Sequence, residues 1–271
     1  MTAPLVDRDA PIGVFDSGLG GLTVAHAIMR LLPGESIVYF GDTARVPYGP
    51  KSPDTVRRYS HEIAAFLLEQ GVKAIVVACN TATAHALPML EAELPVPVIG
   101  VVGPGARAAV KGTRNGHIGV IGTEGTIRSG AYVRAIHAES PDAKVTALAC
   151  PLFVPLVEEG WTNHDATWVI AEEYLAPLLR DDVDTLVLGC THYPLLKSII
   201  GEIVGRDVRL IDSAEETAAD TRRMLAEGDM ASAREQGDYR FVASDDPEKF
   251  LSLGQRFFGD TIEHVEIRTF G

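Results

Sequence analysis

An α/β architecture is encoded in this 271-residue chain: two pseudo-symmetric, mostly parallel-sheet α/β domains with a candidate active site between them. Two patterns lead there. Short, nearly continuous apolar runs alternate with amphipathic segments, as expected when a parallel sheet is covered by helices on both faces. Some of these runs also recur in the second half of the chain at a nearly constant spacing.

The first strand is expected in PIGVFD (11–16), and GLGGLTVAHAIMR, which begins at Gly18, leads into a helix. SIVYFGD (36–42) gives the next strand. A helix follows in 52–71, where a polar start precedes apolar Val56, Tyr59, Ile63, Phe66 and Leu67 and Gly71 ends the pattern. Further strands are expected in AIVVACN (74–80), VPVIGVV (96–102), HIGVIGT (117–123), KVTALAC (144–150), TLVLGCT (185–191) and VRLIDSA (208–214). The C-terminal part differs: a helix in 214–228, a strand in YRFVAS (239–244), a helix in 246–259 and a last strand in IEHVEIR (262–268). There is no low-complexity tract and no long linker.

IGVFDSG begins at Ile12 and IGVIGTEG at Ile118, and the spacing between them nearly equals that between Cys79 and Cys190. Two motif pairs with matching separation indicate two related halves.

Composition narrows the function. With 24 basic and 37 acidic side chains the net charge is −13, which opposes sequence-independent attraction to phosphate backbones or anionic lipid, so no nucleic-acid partner is expected. The start MTAPLVDRDAPIGVF has no basic segment followed by an apolar stretch, and no run approaches the roughly 18 apolar residues of a membrane span. The expectation is a cytoplasmic protein without membrane attachment. Three separated cysteines, Cys79, Cys150 and Cys190, form no C-x-x-C pair and are expected to be reduced thiols.

Ligands of open α/β sheets bind beyond the carboxyl ends of the strands. Asp16, Ser17, Cys79, Asn80, Thr81, Cys190, Thr191 and His192 all fall there, and the two cysteines occupy similar contexts, VVACNTATAHAL and LVLGCTHYP. If the halves face each other, the two thiols approach one ligand from opposite sides. Inverting a carbon centre by proton transfer needs a base on one face and an acid on the other, with the roles exchanged on reversal. Two identical side chains meet that symmetry. A thiol ionises near pH 8.5, and a helix N-terminus or a cation can lower that value, so one thiolate and one thiol can coexist near neutrality. Both cysteines are expected to precede helix starts.

GVFDSGLGGLTV, GDTARVPYG, ACNTATA and LGCTHYPLL resemble the signature regions of glutamate racemase, within the aspartate/glutamate racemase superfamily, and GVIGTEGTIRSGAY and ACPLFVPLVEEG resemble its second-half segments. The resemblance spans essentially the whole chain. It implies cofactor-independent interconversion of L- and D-glutamate, the latter a precursor of bacterial peptidoglycan. By the same resemblance Cys79 removes the α-proton of D-glutamate and Cys190 that of L-glutamate, with Asp16 and His192 assisting. Substrate contacts are implied at Asp16, Ser17, Tyr48, Gly49, Asn80, Thr81, Thr191 and His192, and Glu158 as a site-proximal acid. A homodimer is implied as well. Domain limits follow from the family architecture: 1–100 plus 213–271 for a discontinuous first domain, 101–212 for the second.

Plainer readings stand beside these. Cys150, before Pro151 and without a polar continuation, reads as a core thiol. Asp16–Ser17, Thr81 and Thr191 could cap helices, His192 could be a core histidine, and Glu158 could be a solvated helix end. Gly18, Gly20 and Gly21 miss the G-x-G-x-x-G spacing and read instead as close packing of loop on helix. No H-x-x-x-H or C-x-x-C ligand set is present, and no lysine lies in the strand-end motifs to hold pyridoxal phosphate, so no metal and no cofactor are expected. Within the racemase reading, aspartate is the nearest competing substrate. A single-thiol lyase or decarboxylase and a non-catalytic sensor of acidic ligands are the other classes.

Overall fold

The computed structural model describes residues 7–259 and 262–270. Positions 1–6, 260–261 and 271 of the expected first domain lie outside them. Ten strands and eleven α-helices alternate along the described residues. The strands are β1 (Ile12–Asp16), β2 (Ile37–Gly41), β3 (Ala74–Val77), β4 (Val98–Gly100), β5 (His117–Gly122), β6 (Lys144–Ala149), β7 (Thr185–Gly189), β8 (Arg209–Asp212), β9 (Tyr239–Ala243) and β10 (Glu266–Ile267). The helices are α1 (Leu22–Leu31), α2 (Pro53–Glu69), α3 (Asn80–Glu93), α4 (Val102–Gly112), α5 (Glu124–Ser129), α6 (Ala131–Glu139), α7 (Phe153–Glu158), α8 (Asp165–Arg180), α9 (Lys197–Val204), α10 (Ser213–Glu227) and α11 (Pro247–Phe258).

Two sheets result, one ordered β10-β9-β2-β1-β3-β4 and the other β6-β5-β7-β8, and every pairing is parallel. The block β2-β1-β3-β4 of the first sheet has the same order as β6-β5-β7-β8. The sequence repeat is therefore a topological repeat, with β1 equivalent to β5 and β3 to β7.

Alternation along each strand divides the core. Ile12 and Val14 of β1 pack with Leu22, Ile28, Tyr39 and Phe250 on one face, whereas Phe15 packs with Val56, Ile63 and Leu67 of α2 on the other. In the second sheet Ile118, Val120 and Val187 meet α4 and α6, while Ile121, Leu186 and Leu188 meet α7, α8 and α9. Burying each such side chain contributes about 1.5–3 kcal/mol. Local signals set the helix limits: α2 is capped by Ser52, whose hydroxyl accepts from Thr55 N–H, with Pro53 as its first residue, and Gly71 beyond its end has a φ of 73°.

Three expectations are corrected. The strand expected over 96–102 stops at Gly100 because Val102 already belongs to α4, and Val101 N–H leaves the ladder to donate to Thr83 Oγ1. Within 262–268 the strand is only Glu266–Ile267, in register with Val242 and Ala243 of β9, and Arg268 N–H closes it by donating to Ala243 O at 3.0 Å. Cys190 does not open directly into an α-helix: Tyr193–Leu196, with Pro194 in its first turn, form a 3-10 turn before α9.

Candidate active site

In parallel sheets all carboxyl ends lie on one side, and here that side carries the polar residues singled out from sequence. Asp16 ends β1, Cys79 follows β3 and Cys190 follows β7. Both Cys79 and Cys190 line one narrow cleft, with a cavity volume of about 20 Å³. Ser17, Tyr48, Gly49, Cys79, Asn80 and Thr81 form the wall contributed by the six-stranded sheet. Thr123, Val154, Cys190, Thr191 and His192 form the wall contributed by the half of the chain that holds the four-stranded sheet.

Cys79 is the N-cap of α3: its Sγ accepts from Ala82 N–H at 3.4 Å and donates to Ser17 Oγ at 3.6 Å. Cys190 has a different neighbour, His192, whose Nδ1 lies 3.9 Å from Sγ. The Nε2 of the same ring is 3.2 Å from Glu158 Oε1. Glu158, Leu19 and Gly20 border a small adjoining cavity behind His192.

The walls are joined by hydroxyls. Thr81 Oγ1 lies 2.8 Å from Thr123 Oγ1 and 3.2 Å from Thr126 Oγ1, and the last two are 3.1 Å apart. Thr191 Oγ1 donates to Asp16 Oδ1 at 3.3 Å, and Asp16 Oδ2 accepts from Gly18 N–H at 3.0 Å. Close approach at this seam depends on glycine. A Cβ on Gly20 would sit 2.3 Å from Thr191 Oγ1 and 2.5 Å from His192 Nδ1.

Burial and charge separate the two thiols. Burial and the nearby Asp16 carboxylate push the Cys79 thiol up to about 12, although the Ala82 N–H and the Ser17 hydroxyl favour the thiolate. Burial also raises Asp16, an effect that the His192 charge and the N–H groups of Gly21, Gly18 and Ser17 partly offset. For His192 burial alone disfavours the cation, but the hydrogen bonds to Cys190 and Glu158 outweigh it and raise the imidazole to about 10. Burial likewise disfavours the Glu158 carboxylate, yet the His192 hydrogen bond holds its value below the usual range. Cationic His192 between Cys190 and anionic Glu158 is the arrangement these shifts describe.

Nine sequence-selected residues meet at the cleft: Ser17, Tyr48, Gly49, Cys79, Asn80, Thr81, Cys190, Thr191 and His192. Asp16 is fully buried immediately behind the wall and reaches the cleft through Thr191. Glu158 stands behind His192. Cys150 is fully buried in the core with Phe153 and Leu175, as its context suggests. Capping explains neither threonine, because the α3 cap is Cys79 and both hydroxyls bond across the seam. Thr123, Thr126 and Val154 are absent from the sequence-selected set. The repeat carries the signal for Thr123, since aligning IGVFDSG with IGVIGTEG pairs it with Ser17.

Among the described residues no group of three or more His, Cys, Asp or Glu side chains is placed to hold a metal ion. No helix among them is long and apolar enough to cross a membrane.

Comparison with known proteins gives the class. Residues 12–221 match the Asp/Glu/Hydantoin racemase family. The glutamate racemase of Geobacter metallireducens is 55% identical over 255 residues, covering 94% of each chain. That of Neisseria meningitidis serogroup A is 52% identical over 268 residues, 98% of this chain and 99% of its own. Among solved structures, a glutamate racemase isoform from Bacillus anthracis superimposes with a TM-score of 0.93 at 43% identity, covering 97% of this chain and 98% of its own. The Francisella tularensis glutamate racemase in complex with D-glutamate gives 0.91 at 39% identity, with the same coverage. The chain belongs to the Asp/Glu/Hydantoin racemase family and, within it, to the glutamate racemases, which makes it an isomerase.

Proposed function

We propose that this protein interconverts L-glutamate and D-glutamate without a cofactor, by proton transfer between two thiols on opposite faces of the α-carbon. The observation that carries the reading is the occurrence of Cys79 and Cys190 at equivalent strand ends, β3 and β7 of the two sheets, in the lining of one cleft. From L-glutamate, the Cys190 thiolate takes the α-proton and leaves the electron pair on the α-carbon. The Cys79 thiol then delivers its proton to the other face, giving D-glutamate and a Cys79 thiolate. From D-glutamate the same steps run in reverse.

His192, held as a cation by Glu158, supports negative charge at the Cys190 sulfur. Asp16 faces the Cys79 side and attracts the substrate ammonium, whose charge in turn eases ionisation of Cys79. Carboxylates fit the donors available: the hydroxyls of Ser17, Thr81 and Thr191, the Asn80 amide and the N-terminus of α3. The Tyr48 hydroxyl is engaged by Asp42, which leaves the backbone N–H groups of Tyr48 and Gly49 as the polar offering of that segment. Thr123 joins this set through Thr81.

In this reading the lobes are the domains 1–100 plus 213–271 and 101–212, the protein works in the cytoplasm as a homodimer, and its product supplies peptidoglycan synthesis. The test is incubation of enantiopure L-glutamate in heavy water. Loss of optical rotation with deuterium entering the α-position is expected. A sensor of acidic ligands incorporates none, and faster exchange of L-aspartate than of L-glutamate would reassign the substrate.

A further inference from the structure

We infer that Tyr132, outside the cleft, is a positioning residue that fixes which end of the Asn80 amide faces the substrate; the inference deepens the racemase reading and rests on it. Tyr132 lies on α6 and is 2% exposed. Its hydroxyl crosses to the other wall and donates to Asn80 Oδ1 at 2.7 Å. The Ser213 hydroxyl, in the first residue of α10, is a second hydrogen-bond partner of the same phenol oxygen.

The phenol has one proton to give. With that proton on Asn80 Oδ1, the amide oxygen is satisfied and the NH₂ end is left over. Asn80 lines the cleft, and its Nδ2, although buried, has no hydrogen-bond partner. A buried donor without a partner is unfavourable, because it has lost its hydrogen bonds to water and gained none. A substrate acceptor in the cleft relieves that cost, so Asn80 is set to donate to a carboxylate oxygen and is not set to accept from the ammonium group.

The path of the ring is built for this reach. A Cβ on Gly189, the residue before Cys190, would sit 3.0 Å from Tyr132 Cε2, and one on Gly105 would sit 3.2 Å from the Tyr132 oxygen and 3.3 Å from Ser213 Cβ. Both neighbours lack a side chain where the phenol passes. Burial also raises the ionisation of Tyr132 well above the ordinary value, so the hydroxyl keeps the proton it donates. The orientation of one substrate-facing amide on the first wall is thus set from the second wall, beside the chain segment that returns from β8 into α10.

The test is Tyr132→Phe, which removes one oxygen and keeps the ring, assayed in the wild-type and Asn80→Ala backgrounds by α-proton exchange in heavy water, with thermal melting to verify folding. In the wild-type background KM for glutamate rises about five- to tenfold while kcat changes less than about twofold, as loss of a single positioning hydrogen bond predicts. In the Asn80→Ala background the same substitution has no further effect on KM. An unchanged KM for Tyr132→Phe, or an equal loss in both backgrounds, overturns the positioning role. Absence of exchange by the wild-type protein instead sinks the racemase reading, so the two failures are told apart.

Discussion

Cys79 and Cys190 occupy equivalent places in a repeated topology, yet their surroundings differ. Cys79 caps a 14-residue α-helix and has Ser17 and the Asp16 carboxylate for company. Cys190 runs into a 3-10 turn and is backed by a His192–Glu158 pair. The fold places the two sulfurs at equivalent strand ends, and the loops that follow the strands supply unequal electrostatics. For a racemase this inequality is constrained. Enantiomers have equal free energies, so kcat/KM must be the same in both directions at every pH, and the asymmetry can show only in kcat and KM separately.

The largest expected effect comes from removing either sulfur. Cys79→Ser and Cys190→Ser should each lower kcat/KM by at least about 10³-fold, because a serine hydroxyl ionises far less readily than a thiol and general acid–base steps are worth about 10²–10⁴-fold. Polarimetry on both enantiomers checks this, and near-parent activity in either variant would break the equivalence of the two positions.

A smaller effect belongs to the pair that distinguishes the second thiol. His192→Gln should reduce kcat/KM by about 10²-fold, equally from L- and D-glutamate. The wild-type pH profile should fall as His192 loses its proton near pH 10, and the variant should lack that limb. The same shift predicts a stability trend. The folded value, about 10, lies above the ordinary 6.5, so the contribution is complete below about pH 6.5 and disappears as pH rises through about 10. The melting temperatures of wild type and His192→Gln should converge over that interval.

The smallest effect tests the seam between the halves. The Cβ of Gly20→Ala would overlap Thr191 and His192, and the forced shift should cost about 1–3 kcal/mol in unfolding free energy by denaturant titration. The equivalent segment after β5 places Gly125 in the first turn of α5, where a Cβ would lie 2.7 Å from Gly49 O, so Gly125→Ala should cost a similar amount and sharpen the comparison.

Much of this was legible in the sequence because buried parallel strands are nearly continuous apolar runs and their carboxyl ends are where polar residues interrupt them. That signal marks Asp16, Cys79 and Cys190 directly. It also marks Thr123, through its alignment with Ser17. What it does not carry is contact between segments distant in the chain. Asp16 sits behind the wall only because Thr191 comes across from the other half, and Glu158 reaches His192 only because α7 packs beside the turn that follows β7. Tyr132 lies in an ordinary amphipathic helix whose reach to Asn80 depends on two glycines far from it in sequence. Edge pairing is equally non-local, which is why β10 is only two residues long.

The claim that two thiols work from opposite faces is tested most directly by early-time isotope distribution. L-glutamate is turned over in heavy water and stopped after a few per cent conversion, and the α-position of each enantiomer is analysed by mass spectrometry after chiral separation. Opposed thiols predict D-glutamate that is almost fully deuterated beside unreacted L-glutamate that still carries hydrogen. D-glutamate that keeps the α-hydrogen of its L-glutamate precursor, as a single thiol returning the same proton to either face would give, contradicts the account.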